Sequence, residues 1–144
     1  MAPASAVPKT VPARKALRLR KGYTKARVRQ MVAHWVPKLR LGDWQIQVVF
    51  DPSLPHRATC EASPEYKEAT LTFNLPACSE REEDLEGCVV HELCHCHTWA
   101  QAAETEALCR TPADWKRSNH AEEAATTELT LLALSLAPRL FKSP

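Results

Sequence analysis

The stretch Gly87-Cys88-Val89-Val90-His91-Glu92-Leu93-Cys94-His95 decides how the rest of the chain is read. His91 and His95 are four residues apart, so a helix stacks both imidazoles on one face, where a single zinc ion can take a nitrogen from each. Zinc binds such nitrogens at about 2.0–2.1 Å, and a catalytic site takes three protein ligands and keeps one position open for water. Glu92 lies beside that face, close enough to handle the proton of a metal-bound water. The competing reading is two histidines on a solvated helix with a glutamate between them by accident. Uncharged inner positions, Leu93 and Cys94, and the apolar Val89 and Val90 make that accident rarer.

Moving outward from the motif, Ser79 is expected to begin its helix, with Glu80, Glu82, Glu83 and Asp84 near the positive N-terminal end. The helix is expected to run to about Cys109. Upstream, Trp44 to Phe50 alternates apolar with polar residues before Asp51-Pro52 ends it, which predicts a first strand. Arg57 to Ala62 and Ala69 to Leu75 read as two more, joined by Ser63-Pro64-Glu65-Tyr66-Lys67 as a hairpin turn and stopped by Pro76. The open edge of the strand just before the motif helix suits an extended peptide added as a further strand. Earlier still, Thr24 can cap a helix carrying Val28, Val32, Trp35 and Leu39 at helical spacing. Downstream, Thr111-Pro112-Ala113-Asp114 supplies a cap, a first-turn proline and an early acid. A last helix therefore begins near Pro112 or near Ser118-Asn119 and stops before Pro138. The fold class is α+β: an N-terminal helix, a small three-stranded antiparallel or mixed sheet, the motif helix and a C-terminal helix.

The third metal ligand is sought on that last helix. Ala125, Leu129, Leu132 and Leu136 form a stripe expected to face the core, and extending it back by three residues reaches Glu122, an acid that needs a partner. Glu122 would complete a His, His, Glu set. Glu123 aligns with the more polar Thr126, Thr127 and Thr130 and ranks second. His120 competes, since three histidines also make a sound site, but it lies off the stripe. Glu122 also stands three residues after Asn119, as in a capping box. His97 points away from the metal if the helix is regular. Tyr66, His97 and His120 are nominated by polarity alone to stabilise an oxyanion.

A chain of 144 residues fits one domain with a real core. Its net charge of +2 conceals an asymmetry: residues 1–42 hold eleven Lys or Arg and no acid, whereas residues 43–144 hold eight bases and seventeen acids. Residues 1–22 therefore read as a disordered basic arm and 23–144 as the domain. The arm suits the phosphates of nucleic acid, bound without sequence preference, although a solvated tail is the plainer alternative. No secretory apolar segment precedes the six cysteines, which read as reduced thiols of a cytoplasmic protein. No stretch is long and apolar enough to span a membrane.

The order helix, strand, hairpin, HELCH helix and a helix bearing Glu122-Glu123 resembles the small zincin-like metallopeptidases of phages and prophages. It is similar also to the ImmA/IrrE-type peptidases. The resemblance covers roughly residues 24–137 in layout, and its specific positions are His91, Glu92, His95 and Glu122. It implies a minimal zincin-like fold, zinc held by His91, His95 and Glu122, Glu92 as general base, and a bacterial cell or phage-infected host as the setting. A weaker resemblance to the SprT-like proteins would make His120 the third ligand, although no Cys-rich ribbon follows. The polar His97 departs from the apolar residue usual after the motif. The expected activity is hydrolysis of peptide bonds in a peptide or protein substrate by a zinc-activated water, with Glu92 taking its proton. The alternative is a nucleic-acid-associated or protein-binding regulatory module whose zinc site is structural or vestigial. Glu92 discriminates the two, because a structural site needs no base.

Overall fold

A computed structural model describes residues 19–141. The elements run α1 (Lys25–Lys38), β1 (Gln45–Phe50), β2 (Ala58–Ser63), β3 (Glu68–Phe73), α2 (Leu75–Glu80), α3 (Leu85–Glu106) and α4 (Pro112–Leu136). This is an α+β architecture with a three-stranded mixed sheet. The basic arm read from the sequence lies outside the described residues as far as position 18. Its last residues rest on the body: the Arg20 N–H donates to Ser79 Oγ at 2.8 Å, and the Arg20 guanidinium pairs with Glu82. Among the described residues no helix is long and apolar enough to cross a membrane, and all six cysteines are free thiols.

Thr24 caps α1, its hydroxyl accepting from the Arg27 N–H at 3.2 Å. Val28, Met31, Val32 and Trp35 turn one face of α1 into the core. Trp35 is fully buried, and its indole N–H donates to Glu86 Oε1 at 2.8 Å. Glu86, itself buried in the first turn of α3, also accepts from the backbone N–H groups of Leu140 and Phe141. One carboxylate thus joins α1, α3 and the C-terminal segment.

The strand order is β1-β3-β2, with β1 parallel to β3 and β2 antiparallel to it. Val48, Leu71 and Cys60 lie opposite one another across the three strands, and Leu71 and Cys60 belong to the core. The strand that precedes the motif helix is therefore the central one, paired on both sides. The open edges belong instead to β1 and β2, because the chain passes β3's place in the sheet before the hairpin returns to fill it.

Pro76 does more than stop β3. It occupies the first turn of α2, where a missing N–H costs nothing, and the Asn74 side chain accepts from the Ala77 N–H at 3.0 Å. The motif helix accordingly does not begin at Ser79, which lies inside α2. Glu82 adopts a positive φ of 54° between the two helices, and α3 begins after Asp84.

The last helix begins at Pro112, with Thr111 and Asp114 forming a capping box. Asn119 is then mid-helix and caps nothing. The stripe Ala125, Leu129, Leu132 and Leu136 does not face the core; all four are exposed. The buried face of α4 carries Thr126 and Thr130, 0% and 7% exposed. The reason is the surface it meets: α3 presents His91, His95 and Thr98 there, and polar groups removed from water need hydrogen-bond partners.

Candidate metal centre

Helices α3 and α4 form an antiparallel pair, so rising positions on one meet falling positions on the other. Thr98 meets Glu122, His95 meets Thr126, and His91 meets Thr130. The imidazoles of His91 and His95 stand nearly perpendicular, with centroids 4.9 Å apart. This follows from the four-residue spacing on a regular helix.

His91, His95 and Glu123 come together, with one ligand atom from each lying within 4.8 Å of the others. His91 Nε2 is 3.4 Å from Glu123 Oε2, and His95 Nε2 is 3.5 Å from Glu123 Oε1. Ligand atoms set tetrahedrally around zinc at 2.0–2.1 Å are separated by about 3.3–3.4 Å. The two distances run to different oxygens of Glu123, and the three side chains together form a group that could hold a metal ion.

Glu122 lies on the other side of the His95 ring. His95 Nδ1 donates to Glu122 Oε1 at 2.7 Å, and the same oxygen accepts from Thr98 Oγ1 at 2.7 Å and from Thr126 Oγ1 at 3.2 Å. Burial alone would raise the Glu122 pKa, but hydrogen bonds from Thr98, His95 and Thr126 hold its carboxyl below the usual range. With Nδ1 so engaged, His95 keeps its Nε2 lone pair for the cluster. His91 is held the same way, though more loosely. The Thr130 hydroxyl donates to the Thr126 carbonyl at 2.8 Å, leaving its oxygen to accept from His91 Nδ1 at 3.5 Å. Burial and the neighbouring His95 lower the His91 pKa, which favours the neutral imidazole that binds metals.

Glu92 is buried at 7% exposure, yet it lines a cleft of about 1040 Å³ together with His91, His95, Glu122 and Glu123. Burial pushes its carboxyl up to about 7, with Glu123 and Glu122 adding to the rise and His95 opposing it. A divalent cation beside it would pull that value down again. The cleft is lined also by Ala58, Thr59 and Cys60 of β2 and by Arg57, Arg81 and Arg139. Arg57 pairs with Glu83, and Arg139 with Asp84 at 2.8 Å.

His120 is exposed and outside the cluster. His97 leaves the site altogether, its Nε2 donating to the Leu39 carbonyl at 2.8 Å. Tyr66 is 72% exposed in the turn between β2 and β3, and neither it, His97 nor His120 lines the cleft. The residues that sequence reasoning missed are Thr98, Thr126 and Thr130 in their supporting roles. Thr98 was within reach, since it follows His91 by seven residues and His95 by three and so shares their face.

Compared with known proteins, the chain matches no family model, no curated protein and no solved structure.

Proposed function

We propose that this protein is a zinc-dependent metallopeptidase of the minimal zincin-like kind, with His91, His95 and Glu123 holding the metal and Glu92 acting as general base. The observation that carries this reading is the His91, His95, Glu123 cluster with Glu92 beside it on the wall of one open cleft. A structural zinc site is closed by a fourth protein ligand and has no use for an adjacent carboxylate that opens to a cleft. Bound zinc would supply Lewis-acid polarisation of a carbonyl and a lowered pKa for attacking water.

The chain's own residues do the rest. Glu92 accepts the proton of the attacking water and returns it to the leaving amine, a role suited to a carboxylate sheltered from bulk water. Glu122 and Thr130 fix the tautomers and ring orientations of His95 and His91 through their Nδ1 atoms. On this reading Glu122, ranked first as a ligand by the sequence, supports the metal from outside, and Glu123, ranked second, binds it. An extended substrate is accommodated along β2, which among the described residues pairs only with β3 and leaves its other edge beside the cleft.

The test is metal analysis of the purified chain with Glu92→Gln in parallel. We expect about one zinc per chain in both, and hydrolysis of a peptide library that falls by about 10²–10⁴-fold in the variant, because an amide cannot take the water's proton. Equal turnover by the two proteins would refute the assignment.

A further inference from the structure

We infer that the N-terminal part of α1 is a nucleic-acid-binding face, on which Lys21, Lys25 and Arg29 hold a phosphate backbone. All three side chains are exposed, and none makes an ion pair among the described residues. Two features show that this charge is not arranged for the helix's own stability. The first turn of α1 contains no acid and begins with Lys25, which sets a cation against the positive end of the helix dipole. Lys25 and Arg29 are then one turn apart, a like-charge pair that disfavours the helix. Both also lie over one aromatic ring, with Lys25 Nζ 5.5 Å and Arg29 Cζ 5.1 Å from the centroid of Phe50. The face of Phe50 attracts cations and holds the two charges together. Asp51, the acid next to Phe50 in the chain, directs its carboxylate to Ser53 instead, accepting from the Ser53 N–H and hydroxyl at 2.8 and 2.6 Å.

A concentration of like charge that costs stability in the free protein is relieved by a polyanion, and the helix N-terminus adds its own N–H groups to the attraction. We take nucleic acid rather than an anionic membrane as the partner, because the large apolar side chains of α1 pack inward and Leu19, two residues before Lys21, is the one large apolar side chain exposed in this part of the chain. Val28, Met31, Val32 and Trp35 are all buried, and the exposed positions around the cations are Ala26, Gln30 and Ala33. Four more cations, Lys9, Arg14, Lys15 and Arg18, precede this face in the chain without an intervening acid. Contacts of this kind read the backbone and not the bases, so binding is independent of sequence. Phe50 does not line the metal-site cleft, and binding here leaves that cleft open.

The test uses the full chain, a fluorescent duplex of arbitrary sequence and a titration from 50 to 200 mM salt. The combined variant Lys21→Gln, Lys25→Gln and Arg29→Gln should bind more than roughly tenfold more weakly at low salt, with the slope of log affinity against log salt reduced by about 2.7. The variant Arg110→Gln, Lys116→Gln and Arg117→Gln removes the same net charge from the α3–α4 end and should bind like wild type. Circular dichroism of each variant establishes that it is folded. The inference is overturned if the first variant binds with unchanged affinity and slope, if the second loses as much as the first, or if the protein binds phosphatidylserine vesicles and not the duplex.

Discussion

Removing each of two adjacent glutamates should have opposite consequences for metal and for fold. Glu122→Ala deletes the acceptor of three hydrogen bonds, from His95 Nδ1, Thr98 Oγ1 and Thr126 Oγ1. The His95 ring then loses the partner that fixes its tautomer, and such losses weaken metal binding by about 10–100-fold, or about 1.4–2.7 kcal/mol. Glu123→Ala removes one of the three ligands proposed above and should weaken zinc binding beyond that range. Stability without metal should follow the reverse order. Glu122 is 14% exposed in its side chain and leaves Thr98 and Thr126 without their acceptor, a loss of about 1–3 kcal/mol. Glu123 is 58% exposed and should be replaceable within about 0.5 kcal/mol. The assays are competition for zinc against a chelating fluorophore and urea unfolding of the zinc-free variants. If Glu122→Ala loses more zinc affinity than Glu123→Ala, the roles assigned to the pair are reversed and the argument from His95 Nδ1 fails.

Leu132→Ser on the exposed stripe of α4 should change unfolding free energy by no more than about 0.5 kcal/mol, whereas Leu93→Ala in the core should cost about 2–5 kcal/mol; comparable losses in urea denaturation would put the stripe back in the core. Trp35→Phe keeps most of the buried ring but leaves Glu86 Oε1 without the indole donor, and should destabilise the fold by about 1–3 kcal/mol. An unchanged denaturation midpoint in that variant would show that the bond between α1 and α3 contributes nothing.

Much of the fold was legible because its signals are local. The alternation of Trp44 to Phe50, the Thr24 and Thr111 caps, and the run of Val28, Val32 and Trp35 each report a backbone preference that tertiary packing left in place. The pairing order of the sheet was not legible. Whether β1 joins β2 or β3 depends on contacts made only when the hairpin has folded against α3, and no turn residue encodes it. The start of the motif helix was misjudged for a related reason. Pro76 reads equally as the end of a strand and as the first turn of a helix, and what decides between them is the Asn74 side chain, which both caps α2 and donates to the Pro52 and Leu54 carbonyls.

The two histidines of the candidate metal cluster were legible because their spacing is a property of one helix, but the placement of Glu122 and Glu123 around them is a property of two. Consecutive residues on α4 point about 100° apart, so which of them reaches Nδ1 of His95 and which faces Nε2 is set by how α4 is rotated about its own axis. The apolar stripe argued for a rotation that buries Ala125, Leu129, Leu132 and Leu136. That argument assumes an apolar opposing surface, and α3 offers imidazoles and a hydroxyl instead. Thr126 gives its hydroxyl proton to Glu122 Oε1, and Thr130 accepts from His91 while returning its own proton to the Thr126 carbonyl one turn back, at 2.8 Å. Leucines in their place would take one hydrogen-bond partner from Glu122 and one from His91 at the helix contact, so the hydrogen-bonding need of this surface outweighs the apolar area that α4 leaves in water. The rotation that follows carries Glu122 to the outer nitrogen of His95 and Glu123 to the inner faces of both histidines.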